Sequence, residues 1–263
     1  MLAASPSGRG IILKLTNLEA FERFIGSRLP QGLDVDAIPI PDRATAVALL
    51  ADAKAVRSGL AEGVLVRSTK PGVVISSVDG TTTVNVSDQT ARAGACALRL
   101  SAERQWTFAG TVTVVENEDA FWRHDVVLPD VDAAIHGRGN ASARLLKWLG
   151  SSAMEKCRVI HWGDYDPVGV YQYLRLEKEC PGRVSVFAPE VIETLLPRFG
   201  KPKLITDQVD YLHRIRRHVA DPYVRRMVGL FDKHRRGLEQ EVFLNSEVLK
   251  ELESAEPAAR NSD

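Results

Sequence analysis

Two short stretches of the chain place carboxylates at the end of an apolar run. One is Thr111-Val-Thr-Val-Val-Glu116-Asn117, and the other is Val159-Ile-His-Trp-Gly-Asp164-Tyr-Asp166-Pro. Both runs have the composition of buried strands, so each acid would stand where a strand ends. Residues two apart in extended chain face one side, which would aim Asp164 and Asp166 at a common ion while Glu116 approaches from a neighbouring strand. Gly163 lets backbone come close, and Pro167 suits the first position of a following helix. Neither motif contains a Lys or Arg, so three clustered carboxylates would repel one another and, if buried, favour their protonated forms. A divalent cation removes that penalty. Ligation by oxygen alone, without His or Cys, selects Mg²⁺ or Mn²⁺ over Zn²⁺. The chemistry open to such a site is polarisation of a phosphate and activation of a water or hydroxyl nucleophile.

A GDxD taken alone is a weak signal, because Asp and Gly mark turns everywhere and DxD also binds metal in nucleotide-sugar glycosyltransferases. Its weight comes from the Val115-Glu116-Asn117 segment at the matching topological place. Arg138 and Asn140, in Gly137-Arg138-Gly139-Asn140, sit where a loop opens a helix, which suits either a phosphate or a plain turn with an N-cap. His161 and Trp162 read as packing for a strand end, and His213, His218 and His234 as surface residues. From Lys201 to Gly237 there are ten basic residues against four acidic ones. The pairs Arg216-Arg217, Arg225-Arg226 and Arg235-Arg236 could therefore contact nucleic acid, the alternative being an ordinary solvated face.

These residues need a scaffold. With 263 residues, 44% hydrophobic and 26% charged, the chain has the composition of a globular protein and the length for two modest domains. Lys plus Arg equals Asp plus Glu at 34 each, so overall charge says nothing about a polyanionic partner. Cys96, Cys157 and Cys180 are too few and too scattered for a zinc site and read as buried thiols. No apolar stretch approaches a membrane span or a secretory h-region, from which a cytoplasmic location is expected.

The expected organisation is an α+β module over 1–105, a catalytic domain over 106–252 and a frayed tail over 253–263. In the first part, Ile11 to Leu15 forms an apolar run. Thr16 or Asn17 can cap a helix carrying Leu18, Phe21, Phe24, Ile25 and Leu29, which Pro30 and Gly32 end. A proline-rich connector at Ile38 to Pro41 leads to an alanine-rich helix from Asp42 to about Ser58. Val64 to Arg67, Val73 to Ser77 and Thr82 to Val86 read as short strands, with Asp79-Gly80 as a hairpin turn. Helices followed by such a wing suit a winged-helix-like module that docks on a duplex or binds a partner. In the second part, apolar runs at Thr111 to Val115, Val131 to Ile135, Arg158 to His161 and Arg183 to Phe187 alternate with helices at about Asn140 to Leu149 and Val168 to Glu179. Alternation at this spacing means crossovers, and hence an α/β fold with a parallel sheet covered on both faces.

An isolated glutamate after one strand and a GDxD after a later one resemble the Toprim domain of topoisomerases, primases and certain nucleases. The segments VVENEDAFW, IHGRGNASARLLKWL, VIHWGDYDPVGVYQYLRL and GLEQEVF, in that order from about Trp106 to Leu244, are similar to the C-terminal Toprim domain of JetD. JetD is the nuclease subunit of Wadjet SMC-type plasmid-defence systems, and that domain resembles the A subunit of type IIB topoisomerases. The resemblance implies a Rossmann-like Toprim fold and a Mg²⁺- or Mn²⁺-dependent DNA endonuclease. Glu116 would be its first acid and Asp164 and Asp166 its paired acids, with SMC-like, kleisin and winged-helix partner subunits. It also hints that Glu241 or Glu239 supplies a further carboxylate, the alternative being solvated helix faces. Cutting two strands would need two sites, so a homodimer is expected. All five tyrosines lie inside the Toprim-like part, which disfavours a covalent tyrosine mechanism and favours hydrolysis by activated water. The rival functions are a Toprim-fold subunit that binds DNA without turnover and a DxD glycosyltransferase.

Overall fold

The computed structural model describes residues 2–7, 10–29 and 61–255. The proline-rich connector, the alanine-rich helix and tail residues 256–263 lie outside the described residues. The chain divides into two compact units, Met1–Ala61 and Glu62–Asp263. In the first, β1 (Leu2–Ser7) and β2 (Gly10–Leu15) pair as an antiparallel hairpin. A helix follows at Leu18–Arg28, begun by Asn17, whose side chain accepts from the Ala20 N–H at 2.8 Å.

The second unit is built on a six-stranded sheet. Its members are β3 (Ala61–Arg67), β6 (Cys96–Ser101), β8 (Gly110–Val115), β9 (Ala133–His136), β10 (Cys157–Trp162) and β11 (Val184–Val186), in the order β11-β10-β8-β9-β3-β6. The four strands β11, β10, β8 and β9 are parallel, and β3 runs antiparallel to β9. A smaller sheet joins β4 (Val74–Ser77), β5 (Thr83–Asn85) and β7 (Trp106–Thr107). Its β4–β5 turn holds Gly80 at φ 71°, where only glycine is unstrained, and Asp79 accepts from the Thr81 N–H at 3.0 Å.

The boundary expected at residue 106 therefore moves to residue 62. Val64 to Arg67, expected as part of a wing, belongs to the central sheet, and so does Cys96–Ser101. Both carry alternating buried side chains, the pattern of strands packed on a core through one face. The tail also starts later, since a helix at Ser246–Ala255 covers the first of the residues expected to fray.

Val112, Val114, Ala133 and Ile135 pack into one core with Leu145 and Leu149 of the helix Ala143–Leu149. Val115, Ala134 and Trp162 face a second core filled by the helices Ile192–Phe199, Val209–Ile215 and Pro222–His234. Side chains alternate across a strand, so these cores lie on opposite faces, and the strands read as unbroken apolar runs because both faces are dry. The helix Pro167–Glu179 begins with proline and is capped by Asp166. All three cysteines are buried free thiols. Among the described residues no helix is long and apolar enough to cross a membrane.

Ile135 is fully buried in the first core. Ile135→Ala is expected to destabilise the second unit by about 2–5 kcal/mol in urea unfolding, whereas Val78→Ala, at a hairpin position 57% exposed, should change it by less than about 0.5 kcal/mol.

Candidate metal centre

Val115 pairs with Trp162 on one side and with His136 on the other, so β8, β9 and β10 end level at their carboxyl edge. From β8 the chain crosses to β9, and from β10 to β11 on the opposite side, which leaves a crevice between the ends of β8 and β10. Glu116 follows β8 and Asp164 follows β10, one on each lip. The Glu116 N–H donates to Trp162 O at 3.3 Å, and the Asp164 main-chain N–H lies near enough to its carboxyl to favour the charged form. The two motifs are thus stitched together through main chain.

Two glycines make the approach possible. A Cβ on Gly163 would lie 2.8 Å from the His161 ring and 3.0 Å from Glu116 Oε2, and one on Gly169 would lie 1.9 Å from the Asp164 carbonyl oxygen. His161 and Trp162 are 3% and 0% exposed and pack the strand end. His161 Nε2 meets Gly169 O at 3.0 Å.

Burial, with Asp164, Asp166 and Glu241 nearby, pushes the Glu116 carboxyl up to about 8. Burial likewise raises Asp164 to about 7, against one main-chain hydrogen bond from the Gln240 N–H at 2.9 Å, with Asp166, Glu241 and Glu239 adding repulsion. Glu116 Oε2 is buried without any hydrogen-bond partner. A buried acceptor facing other carboxylates is what a cation would satisfy, so Glu116 and Asp164 fit a hard divalent ion.

Asp166 is placed differently from the expectation that it would face the same ion. It is 3% exposed, and its Oδ1 accepts from the Gly169 N–H at 2.8 Å while its Oδ2 accepts from Gln208 Nε2 at 2.6 Å. Each oxygen accepts one hydrogen bond, because the residue before Pro167 closes the first turn of a helix. Gln208 completes the clamp, its Oε1 accepting from the Val168 N–H at 2.9 Å. Consistently, no group of three or more His, Cys, Asp or Glu side chains among the described residues stands ready to hold a metal ion.

The fourth acid comes from far along the chain. Tyr165 and Leu238 exchange main-chain hydrogen bonds of 2.8 and 3.0 Å, and Lys201 and Gly237 exchange another pair of 2.8 and 3.2 Å. Between these bridges and the Asp164–Gln240 contact, Glu239 and Glu241 are drawn to the crevice. Asn117 Nδ2 donates to Glu241, while Asn117 Oδ1 caps the helix Glu118–Trp122. Lys201 Nζ donates to Glu239 Oε2 at 2.5 Å, and that bond, with the charges of Glu241 and Asp164, raises the Lys201 ammonium above the ordinary lysine range. Asn117, Lys201, Gln208 and Gly169 were absent from the site read off the sequence. Asn117 could have been found, since it precedes a helix as a capping residue does; the bonds of Lys201 and Gln208 have no local signal.

Arg138 is exposed at φ 53° in the loop after β9, where the Gly139 N–H donates to Glu116 O at 3.1 Å, so it stands at the same edge. Asn140 is not the cap of the next helix. Ser142 is, and Asn140 Oδ1 accepts from Gln172. The paired arginines are spread over several tasks. Arg225 donates to Val219 O and Ala220 O, Arg226 to Ala188 O and Pro189 O, and Arg236 to Gly200 O. Arg216 is paired with Asp232, and Arg217 and Arg235 are exposed. The excess of basic residues in sequence is thus partly consumed by main-chain carbonyls and by acids brought in from other elements.

A family model for the C-terminal region of the Wadjet protein JetD matches residues 68–252, more than two thirds of the chain. No curated protein matches.

The raised acids set a direction for stability. Between the usual carboxyl range and pH 8 the folded Glu116 keeps a proton that the unfolded chain has lost, so metal-free stability falls as pH rises through that window. Melting temperature measured from pH 5 to pH 8 without metal should decline, and Mg²⁺ should recover it at pH 8. Glu116→Gln should flatten the decline and stabilise the metal-free chain at pH 8 by about 1–3 kcal/mol, the usual cost of a buried polar group lacking a partner. An unchanged pH slope in that variant would contradict the assignment.

Proposed function

The chain belongs to the family of the JetD C-terminal region of Wadjet systems, and on that premise we propose that it is a divalent-metal-dependent DNA endonuclease, the nuclease subunit of a Wadjet-type assembly. The observation that carries the reading is the meeting of Glu116 and Asp164 at the switch point of the sheet, with one Glu116 oxygen buried and unpartnered. Mg²⁺ or Mn²⁺ held there would polarise the phosphodiester and lower the pKa of a bound water.

The chain's own residues do the rest. Glu116 and Asp164 supply the ligating oxygens, and Mg²⁺ commonly takes only one or two protein carboxylates, keeping its remaining positions for water and phosphate. Glu241, fixed by Asn117, adds a further negative charge close to Glu116. Asp166 contributes negative charge from behind while holding the helix Pro167–Glu179 against the crevice. Arg138, Arg217 and Arg235 are among the exposed basic side chains open to a DNA backbone; the phosphate contacts they make would be independent of base sequence. Tyr165, the tyrosine between the paired acids, is 1% exposed, and its hydroxyl donates to Phe187 O at 2.9 Å, so it is not placed to attack a phosphate, and an activated water is the nucleophile of this reading. SMC-like, kleisin and winged-helix subunits would select and deliver the DNA, and two copies of the chain would cut the two strands.

Glu116→Ala and Asp164→Ala should each lower Mg²⁺-dependent plasmid cleavage by the reconstituted assembly at least about a hundredfold, the loss of several kcal/mol of charge stabilisation. Circular dichroism and DNA affinity should stay close to wild type. A variant that nicks plasmid at the wild-type rate sinks the reading.

A further inference from the structure

Lys201 opens the basic stretch of the sequence and belongs to neither acidic motif, yet the fold carries it to the acids. Its main chain is locked to Gly237 by two hydrogen bonds, and its ammonium is bonded to Glu239. Its charge acts on Glu241 and Asp164 as well. The side chain is 57% exposed, so the ammonium is open to solvent on the side away from Glu239. An ammonium has three donors. Glu239 takes one, leaving two that can reach a ligand from the solvent side.

We propose that Lys201 is a substrate-binding residue of the site, its Nζ donating to a non-bridging oxygen of the scissile phosphodiester while Glu239 holds it in place. The inference rests on the nuclease reading and adds to it the source of a second positive charge. Glu116, Asp164, Asp166, Glu239 and Glu241 carry five negative charges when ionised, and a phosphodiester adds another. A single divalent ion leaves that assembly negative, and charge on the phosphoryl oxygens grows as a hydroxyl adds. Lys201 offsets part of it without a second metal. Glu239 then has a positioning task rather than a ligating one, which accounts for its facing Lys201 while Glu241 faces Asn117.

The proposal separates Lys201 from a residue that merely braces the fold. In Lys201→Ala, the acid cluster loses a competing cation, so Mn²⁺ measured by calorimetry on the full chain should bind more tightly, by about tenfold. Affinity for a fluorescent DNA duplex, with Ca²⁺ in place of Mg²⁺, should fall several-fold, and the slope of log K against log salt should become shallower by about one. Lys201→Arg should restore the salt slope. A structural brace would weaken both ligands together, and that result overturns the proposal, as does an unchanged duplex affinity and salt slope. Wild-type chain that binds no Mn²⁺ overturns the metal reading itself, and the proposal with it.

Discussion

Two carboxyl groups on facing lips of a narrow crevice must either keep their protons or find a cation. Glu116 and Asp164 are in that position because the sheet reverses its strand order between β8 and β10, and each strand ends in an acid. Bulk water is too scarce at Glu116 Oε2 to solvate a charge, and the neighbouring side chains are themselves acids. Much of the surrounding structure follows from this constraint. Gly163 and Gly169 clear the space, Asn117 and the Gln240 N–H fix the remaining oxygens, and Lys201 tempers the accumulated charge.

The central sheet was legible from the sequence because its strands are buried on both faces. Thr111 to Val115 and Arg158 to His161 are nearly continuous apolar runs, and the helical segment after Asp166-Pro167 opens with both of the usual start signals. The strands that join the sheet from the first half were readable as strands but not as members of that sheet. Val64 to Arg67 alternates in burial as any edge or hairpin strand would, and pattern alone does not say which sheet a half-buried strand completes. A boundary drawn where the apolar runs change character therefore fell after β6 rather than before β3.

The site was legible in part for a similar reason. Glu116 and Asp164 announce themselves by sitting at strand ends, where local order decides position. Glu241 and Lys201 depend on the two bridges that tie Gly237 and Leu238 to Lys201 and Tyr165, contacts between segments up to 73 residues apart. The arginine pairs illustrate the opposite error. Counting charge along the chain treats each guanidinium as free, but loops and helix ends expose carbonyls that need donors, and Arg225, Arg226 and Arg236 meet that need first.

The paired acids of the GDxD divide their labour, and the division follows from the turn between strand and helix. Asp164 still belongs to the loop, so its carboxylate stays near the sheet edge, with one main-chain donor and acidic neighbours. Asp166 is the last residue before Pro167, where the amides of the first helical turn demand an acceptor. Its oxygens accept from Gly169 and Gln208, and this holds the helix so close that the Asp164 carbonyl leaves no room for a side chain at Gly169. An ion at this edge would therefore meet Asp164 directly and Asp166 as a fixed negative field behind it. The spacing of two thus leaves one acid in the loop at the sheet edge and sets the other as the cap of the helix behind it.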